Sequence, residues 1–167
     1  MVTSILEAVI GHRFIYRYDN GWMYELYVKN DRTVDYRIHT GMVGGRWVND
    51  QTADIVAVGT EVVKISWTEP TGTSVVVTVA PRSATLHGTI FFPRWVHEHP
   101  ERTVLHQNDH LELMESYRDA GPVYPLQVVA EGATIFRDDR VGVDDDSVIA
   151  RAPSELPVDF LTPAGSL

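Results

Sequence analysis

The sequence predicts a mainly β protein, an antiparallel β-barrel with short terminal helices, and three observations support this fold class. About ten short stretches alternate apolar and polar residues, as strands with one buried face do. Turn-forming residues separate them, among them Asn20-Gly21, Asn30-Asp31 and Pro70 with Gly72. The length of 167 residues suits one domain, and a small barrel can hold one ligand inside. A β-sandwich is the competing architecture.

The predicted elements follow one another along the chain in a simple order. Ser4 and Glu7 have capping-box spacing ahead of Gly11, which predicts a short N-terminal helix. The predicted extended stretches then read "HRFIYRY", "WMYELYVK", "TVDYRIH", "RWVND", "ADIVAV", "VVKISWT", "TSVVVTVA", "ATLHGTIFF", "TVLHQNDHLELM" and "PLQVVAEGATIF". A second short helix is predicted at "DDDSVIARA", because its first aspartates favour a helix N-terminus. We expect one barrel domain over residues 1–167, with residues 1–10 as an N-terminal extension and residues 154–167 as an irregular, proline-rich tail.

The composition argues against several classes of function. A net charge of −9 at pH 7, with no basic cluster, disfavours binding to nucleic acid or to an anionic membrane surface. The lack of cysteine excludes disulfides, thiolate metal sites and a thiol nucleophile, and it is compatible with a reducing cytosol. Glu7 interrupts the apolar N-terminus, so we expect no signal peptide, no membrane span and a cytoplasmic location.

Counting by two along the predicted strands assigns an inner row of side chains to each of them. The rows are Phe14, Tyr16 and Tyr18; Trp22, Tyr24, Leu26 and Val28; Val34, Tyr36 and Ile38; Val63, Ile65 and Trp67; Thr73, Val75, Val77 and Val79; and Leu86, Gly88, Ile90 and Phe92. Charged residues such as Glu25, Asp35 and Arg37 fall on the opposite, outer face. The four inner tyrosines could be ordinary core residues whose hydroxyls bond to backbone or water. They could also line a pocket for a flat aromatic ligand with polar ends.

Glu69 stands where the row of Val63, Ile65 and Trp67 predicts another core residue. Beside a proline, it could be a solvated residue at a strand end. Inside the barrel, its carboxyl would hold a proton more tightly and could act as a general acid or base. Arg46, which follows the glycines of "GMVGG", could form a surface ion pair or anchor a carboxylate at the barrel mouth.

The histidines suggest a metal site as a rival interpretation. His97 and His99 are two residues apart in "VHEHPE", and Glu98, His106 or His110 could complete a ligand set. The neighbouring prolines favour a loop and the spacing is loose, so we predict neither a metal nor a cofactor.

Three long stretches make the sequence resemble a known family. "YRYDNGWMYELYVKNDRTVDYRIHTGMVGGRWVNDQ", "SWTEPTGT" and "HGTIFFPRWVHEHPE" are similar to the phenolic acid decarboxylases, also called hydroxycinnamic, ferulic or p-coumaric acid decarboxylases. The likeness runs from Gly11 to Pro153 and includes "QNDHLELM" and "VIARAP". It implies a lipocalin-like flattened barrel and a homodimer. It also implies cofactor-free conversion of a small hydroxycinnamate, namely p-coumaric, ferulic or caffeic acid, to a 4-vinylphenol and CO2.

The resemblance also assigns roles to individual residues. It implies catalytic roles for Glu69, Arg46, Tyr16 and Tyr18, with Glu69 as the proton donor. The implied substrate-binding residues are Tyr24, Tyr36, Trp67, Thr73, Val75 and Ile90. Met23 stands where the family pattern has an acidic residue, but it lies on the predicted outer face. The order of preference among the three acids and the orientation of the substrate stay open.

The reaction explains why these residue types are suitable. Direct loss of CO2 from a cinnamate leaves a vinyl carbanion without resonance. Deprotonating a para-hydroxyl instead lets the alpha carbon take a proton, which gives a quinone methide, and loss of CO2 then restores the aromatic ring. The protein must supply a proton donor, hydrogen-bond donors for the charged groups, and a dry slot. Two other functions stay open at this point: a non-catalytic lipocalin-type binder of small aromatic acids, and a metal-dependent enzyme that uses the histidines.

Overall fold

The computed structural model describes residues 4–162, and nine strands dominate this part of the chain. The strands are β1 (His12–Tyr18), β2 (Met23–Val28), β3 (Thr33–Ile38), β4 (Trp47–Thr52), β5 (Asp54–Ala57), β6 (Val63–Thr68), β7 (Ser74–Ala80), β8 (Thr85–Phe92) and β9 (Gln127–Arg140). Two short α-helices, α1 (Arg94–Glu98) and α2 (Leu111–Ala120), lie between β8 and β9. Short 3-10 helices span Ile5–Ala8, Pro81–Ser83, Pro100–Thr103, Gln107–His110 and Pro153–Glu155.

All nine strands form one antiparallel sheet in the order β4-β3-β2-β1-β9-β8-β7-β6-β5. The long strand β9 pairs with β1 on one side and with β8 on the other, so it joins two four-stranded ladders. The two outermost strands of the order, β4 and β5, are separated in sequence by Ala53 alone, and the sheet therefore curls into a nearly closed barrel. This confirms the predicted fold class, a lipocalin-like antiparallel barrel.

The barrel has one unpaired edge, here called the seam. Within the described chain, β4 and β5 pair with β3 and β6 respectively but not with each other. Gln51 on β4 crosses the seam, since its Nε2 donates to the carbonyl oxygen of Thr68 on β6 at 3.2 Å. Asn108, from the 3-10 helix at Gln107–His110, bonds in both directions to the backbone of Asn49 on β4. Polar side chains thus replace a backbone ladder along this edge.

The inner rows predicted by the period-two pattern are buried. Phe14, Leu26, Val34, Ile65 and Val79, from five different strands, have no exposed surface. On β6 the buried residues alternate with more exposed ones, as expected for a strand with one dry face. The core therefore lies inside the barrel, where the sequence predicts it.

Most of the outer face of β2 and β3 is also buried, which the sequence pattern did not predict, whereas Arg17 on the outer face of β1 is exposed. Glu25 and Asp35 have no exposed surface, and Arg37 is nearly as enclosed. Residues 141–162 fold back over this face, and Arg37 donates hydrogen bonds to the carbonyl oxygens of Val148 and Arg151. The alternation of polar and apolar residues within one strand cannot predict burial by a segment that is remote in sequence.

Charged groups fill the layer between this covering segment and the sheet. Arg37 forms two hydrogen bonds to the carboxylate of Glu25, at 2.9 and 3.0 Å, and His39 Nε2 lies 2.9 Å from the same carboxylate. The ring of Phe160 lies over the Arg37 guanidinium, 5.3 Å from its centre. Burial by itself would raise the pKa of Glu25, but the bonds and charges of His39 and Arg37 outweigh it and hold that pKa below its ordinary value.

The prediction that "TVLHQNDHLELM" is extended was wrong. The end of this stretch forms the 3-10 helix at Gln107–His110 and the start of α2. Met114 and Tyr117 are three residues apart, so they share one side of α2. Met114 is fully buried there, and the ring of Tyr117 packs 5.3 Å from that of Trp95 on α1. Burial of this side against the barrel favours the helix.

The predicted helix at "DDDSVIARA" was also wrong, because turns occupy this stretch. Asp144 has a positive φ of 53°, which a right-handed helix cannot accommodate. The Asp145 side chain accepts bonds from the backbone NH and the hydroxyl of Ser147, and Asp146 pairs with Lys29 at 2.5 Å. The aspartates therefore form turn and ion-pair contacts in place of a helix cap.

The two ends of the chain agree in part with the sequence analysis. The N-terminal helix forms as a 3-10 helix at Ile5–Ala8, and the Ser4 hydroxyl accepts from the backbone NH of Leu6. The tail from residue 154 is irregular up to residue 162 apart from the end of one 3-10 helix, as expected. Residues 1–3 of the predicted extension and residues 163–167 of the tail lie outside the described part.

Replacing Glu25 by Gln should lower the free energy of unfolding at neutral pH by about 3–5 kcal/mol, since Arg37 would stay buried without a negative partner. The depressed pKa of Glu25 means that its contribution is complete above the ordinary carboxyl pKa and is lost as the pH falls below it. The difference between the two proteins should therefore shrink at acid pH. Urea unfolding followed by tryptophan fluorescence measures both effects. The double variant Glu25→Leu with Arg37→Leu is the control, and it should recover much of the loss. Equal stability of Glu25→Gln and the unaltered chain would contradict this account.

Candidate active site

Four tyrosines lie side by side inside the barrel. Tyr16 on β1 pairs directly with Tyr24 on β2, and Tyr18 and Tyr36 extend the group along β1 and onto β3. The ring centres of Tyr18 lie 5.4 Å from Tyr16 and 5.2 Å from Tyr24, both in edge-to-face contact. The shared inner face follows from the two-residue period and the strand register, as predicted.

Burial controls the protonation of these tyrosines. It is the largest cause that raises the pKa of Tyr16, Tyr18 and Tyr24, and the tyrosines around Tyr16 raise its pKa further. Their hydroxyls are therefore protonated at neutral pH and can donate hydrogen bonds. Within the described residues, the buried hydroxyl of Tyr24 has no partner. A buried donor without a partner is costly in a plain core, so this wall of the barrel is suited to a polar guest.

Glu69 lies inside the barrel, with 7% of its surface exposed. It directly follows β6, and the turn "TEPTGT" holds it through a backbone bond to Thr73 and through Gly72, whose φ of +88° favours glycine. The Tyr36 hydroxyl donates to Glu69 Oε1 at 2.5 Å, and the Thr71 hydroxyl donates to Oε2 at 3.2 Å. The alternative of a solvated strand-end residue does not fit this placement.

Arg46 is the cationic partner of Glu69. Its Nη2 donates to Glu69 Oε2 at 3.2 Å and to the side-chain oxygen of Gln107, and its Nη1 donates to the Thr103 carbonyl oxygen at 3.2 Å. Arg46 is 1% exposed, so it is neither a surface ion pair nor a residue of an open barrel mouth. Glycine is favoured at position 45, directly before Arg46, because a Cβ at Gly45 would lie 2.6 Å from a methyl carbon of Val104. The pair of Arg46 and Glu69 is therefore a buried charge pair whose remaining bonding capacity other polar groups help to fill.

These groups surround one narrow slot. All ten residues that the resemblance implies for the site border it, together with Leu26, Ile38, Val43, Val77, Phe92, Val96 and Thr103. Its cavity volume is about 30 Å³, room for one or two water molecules. The arrangement offers a carboxyl group, a guanidinium and several hydroxyl donors within an otherwise apolar enclosure.

The comparisons with known proteins agree with this geometry. The sequence model of the family described as phenolic acid decarboxylase (PAD) matches residues 6–163. The chain belongs to the phenolic acid decarboxylase family. It is accordingly a decarboxylase, and its substrate is a small phenolic acid.

Two curated relatives are similar over most of their length. The "Phenolic acid decarboxylase PadC" of Bacillus subtilis is 54% identical over 150 residues, which cover 90% of this chain and 93% of that protein. The "Probable phenolic acid decarboxylase" of Vibrio cholerae is 52% identical over 155 residues, which cover 93% of this chain and 89% of that protein. The crystal structure of a "putative beta-lactamase" from Burkholderia vietnamiensis has a TM-score of 0.52 at 15% identity. It covers 78% of this chain and 94% of its own, and it shows a shared fold alone.

Sequence analysis of the decarboxylase missed Thr71, Thr103 and Gln107. Thr71 lies in the quoted turn beside Glu69, so its position in that turn was an available signal. Gln107 and Thr103 come from the segment between β8 and β9, part of which the pattern assigned to an extended piece. Gln107 is 61 residues from Arg46 in sequence, and no local pattern indicates their contact.

The histidines do not gather around the slot. His97 lies on α1, and His99 directly follows this helix. The ring of His106 stacks on that of Trp47, with the ring centres 3.8 Å apart, and its nitrogens contact Asp109 and Asn49. Among residues 4–162, no group of three His, Asp or Glu side chains is placed to hold a metal ion. No helix in the described part is long and apolar enough to cross a membrane.

Gly88 provides a test of how the slot is shaped. A side chain at this position on β8 would overlap the Tyr18 hydroxyl and lie 2.9 Å from two of its ring carbons. Gly88→Ala should displace Tyr18 and lower kcat/KM for a phenolic acid by about 10²-fold, as expected for misplacement of a group in an active site. Steady-state kinetics measures this loss.

The matched controls separate the local clash from a general defect. Gly132→Ala on β9 meets only the flexible carboxylate of Asp19 and should keep nearly full activity. Adding Tyr18→Phe to Gly88→Ala removes the overlapping oxygen, so the melting temperature should recover in part while activity stays low. Full activity of Gly88→Ala would show that Tyr18 is free to move without consequence.

Proposed function

We propose that this decarboxylase converts 4-hydroxycinnamic acids, namely p-coumaric, ferulic and caffeic acid, to 4-vinylphenols and CO2 without a cofactor. The observation that carries the proposal is the buried Glu69 carboxyl, which borders an aromatic slot and contacts Arg46 and Tyr36. A buried acid beside an enclosed apolar space is suited to protonate carbon, because water does not compete for the proton there.

The proposed reaction passes through a quinone methide. The para-hydroxyl of the substrate loses its proton, and its electrons move through the ring and the side chain. The anionic substrate offsets part of the charge of Arg46, so that Glu69 takes up a proton in the complex. The alpha carbon then takes this proton from Glu69, which forms the C–H bond. The bond between the alpha carbon and the carboxyl carbon breaks next, its electron pair restores the aromatic ring and the vinyl group, and CO2 leaves. The phenolate regains a proton, so the net reaction of the carboxylate consumes one proton in each turnover.

The remaining residues take roles that follow from their bonding capacity. Arg46 and the hydroxyls of Tyr16 and Tyr18 stabilise the charges of the carboxylate and the phenolate, because they donate hydrogen bonds in a site with little water. In either orientation of the substrate, the alpha carbon must come within reach of Glu69. The proposed substrate-binding residues hold the planar guest: Tyr24, Tyr36, Trp67, Thr73, Val75 and Ile90.

We further propose that the enzyme acts as a homodimer in the cytoplasm. The segment between α2 and β9 exposes Val123, Tyr124 and Leu126, and Val128 follows on β9. Exposed apolar side chains clustered in this way are typical of an interaction surface. The absence of cysteine supports a reducing compartment. Sedimentation equilibrium of the purified chain measures its oligomeric state, and a monomer would contradict the dimer.

The substrate proposal predicts that p-coumarate is consumed and that unsubstituted cinnamate is not. Only the para-hydroxyl opens the quinone-methide route, so the rate on cinnamate should be lower by several orders of magnitude. Loss of ultraviolet absorbance, with chromatographic identification of 4-vinylphenol, measures both rates. Equal rates on the two acids would rule out the quinone methide. Tight binding of p-coumarate without product would instead favour a binding protein.

The proton donor is tested by Glu69→Gln. This change keeps the shape of the side chain, and hydrogen bonds to Tyr36 and Thr71 remain possible. Turnover should fall by about 10²–10⁴-fold, the usual contribution of a positioned acid, while p-coumarate still binds. Quenching of tryptophan fluorescence measures binding separately from product formation. Glu98→Gln, an exposed site on α1, is the control and should behave like the unaltered chain. Retained turnover in Glu69→Gln would assign the proton to another group.

A further inference from the structure

The turn that carries Glu69 is held by a hydrogen bond from outside the barrel. The indole Nε1 of Trp95 on α1 donates to the carbonyl oxygen of Thr71 at 3.1 Å. This carbonyl lies between β6 and β7, and among residues 4–162 no other hydrogen bond reaches it. Trp95 and Thr71 are each 1% exposed, so water cannot take the place of the indole as the donor.

The hydroxyl of Thr71 faces the proposed proton donor. Its Oγ1 lies 3.2 Å from Glu69 Oε2 and 2.9 Å from Oγ1 of Thr73, and it accepts from the backbone NH of Thr73 at 3.2 Å. Trp95 fixes one polar group of Thr71, and the other polar group of the same residue contacts the carboxyl. The place of Glu69 therefore depends on an indole that follows Thr71 by 24 positions in sequence.

Trp95 is firmly seated on the segment between β8 and β9. Its backbone NH donates to the carbonyl oxygen of Pro122 at 2.8 Å, and its ring packs 5.3 Å from the ring of Tyr117 on α2. The turn lies close against this segment, because a Cβ at Gly72 would come within 3.3 Å of a side-chain carbon of Arg118. A donor that packing holds in one position can hold its acceptor in one position as well.

The same segment also holds the other member of the charge pair. Arg46 donates hydrogen bonds to the carbonyl oxygen of Thr103 and to the side-chain oxygen of Gln107. Trp95 is not among the described residues that border the slot. It can therefore affect the reaction only through the residues that it positions.

We propose that Trp95 is a positioning residue for the decarboxylation, and that its indole NH sets the place of the Glu69 carboxyl through the carbonyl and the hydroxyl of Thr71. This inference rests on the proposed function, because it takes Glu69 as the proton donor. Proton transfer to carbon requires the donor oxygen and the alpha carbon to be close and aligned. A small displacement of the turn therefore slows the chemical step more than it weakens binding.

The first test is Trp95→Phe, which keeps an aromatic ring beside Tyr117 and removes the NH donor. The kcat for p-coumarate should fall by about ten- to hundred-fold, as expected for a misplaced group in an active site. KM should stay within about two-fold of its original value, because the residues that border the slot are unaltered. Steady-state kinetics, at a temperature where circular dichroism shows both proteins folded, measures the two constants.

A control separates positioning from a general loss of packing. Ile149, within residues 141–162, is fully buried and lies outside the slot. Ile149→Val should lower the melting temperature and leave kcat unchanged. Unchanged kcat in Trp95→Phe would overturn the proposal, and so would a rise in KM that accounts for the whole loss of activity.

The dependence on Glu69 is tested by combining two substitutions. If Trp95 acts by positioning this carboxyl, adding Trp95→Phe to Glu69→Gln should lower the residual turnover by less than about two-fold. A loss as large as in the unaltered background would overturn the proposal, because Trp95 would then act independently of the proton donor.

If Trp95→Phe does not fold, the link is tested at Thr71. Thr71→Val removes the hydroxyl beside Glu69 and should lower kcat while sparing KM. Thr71→Ser keeps the hydroxyl and should recover most of the activity. Full activity of Thr71→Val would break the path from the indole to the carboxyl and overturn the proposal. Failure of the proposed function looks different, because the unaltered chain would then form no 4-vinylphenol, or Glu69→Gln would keep full turnover.

Discussion

The site depends on one interaction, the buried charge pair of Glu69 and Arg46. A carboxylate and a guanidinium inside an apolar barrel are costly unless each is paired and hydrogen-bonded. Their partners come from four separate places: the strand β3, the β6–β7 turn, the backbone at Thr103 and the 3-10 helix that holds Gln107. Because β3, the β6–β7 turn and the segment that holds Thr103 and Gln107 are remote from one another in sequence, the fold and the site are formed together.

Strands β2 and β3 are buried on both faces, and β1 is buried on its inner face. Inside, the four phenol rings pack against one another, and outside, the network of Glu25, Arg37 and His39 is sealed by the chain after β9. A side chain keeps a fixed position only when the backbone beneath it cannot bend, and a second packed layer restricts that bending. Residues 141–162 therefore stiffen the wall that carries the hydroxyl donors.

Sequence reasoning succeeded where the signal is local and failed where it is not. The tyrosine rows follow from counting by two within one strand. The same count left Glu69 either inside the barrel or solvated at the strand end, and only the family-like stretches favoured the interior. At the end of "TVLHQNDHLELM", Leu111 and Leu113 alternate with polar residues, as in a strand. The helical spacing of Met114 and Tyr117 on α2 is visible only when the sequence after this stretch is included. The burial of Glu25 and the contact of Gln107 with Arg46 both join segments remote in sequence, so only the assembled chain reveals them.

The position of β9 has a consequence for how the polypeptide is made. β9 alone links the ladder of β1–β4 to the ladder of β5–β8, and its residues pair with partners such as Arg13 that were synthesised 126 positions earlier. Until that strand leaves the ribosome, two half-cylinders coexist on one nascent chain, with their aromatic linings uncovered. Such late, long-range closure is slow and leaves apolar surface open to chaperones or to other chains. Closure of the barrel therefore waits for the last strand, long after the residues that border the slot have been translated.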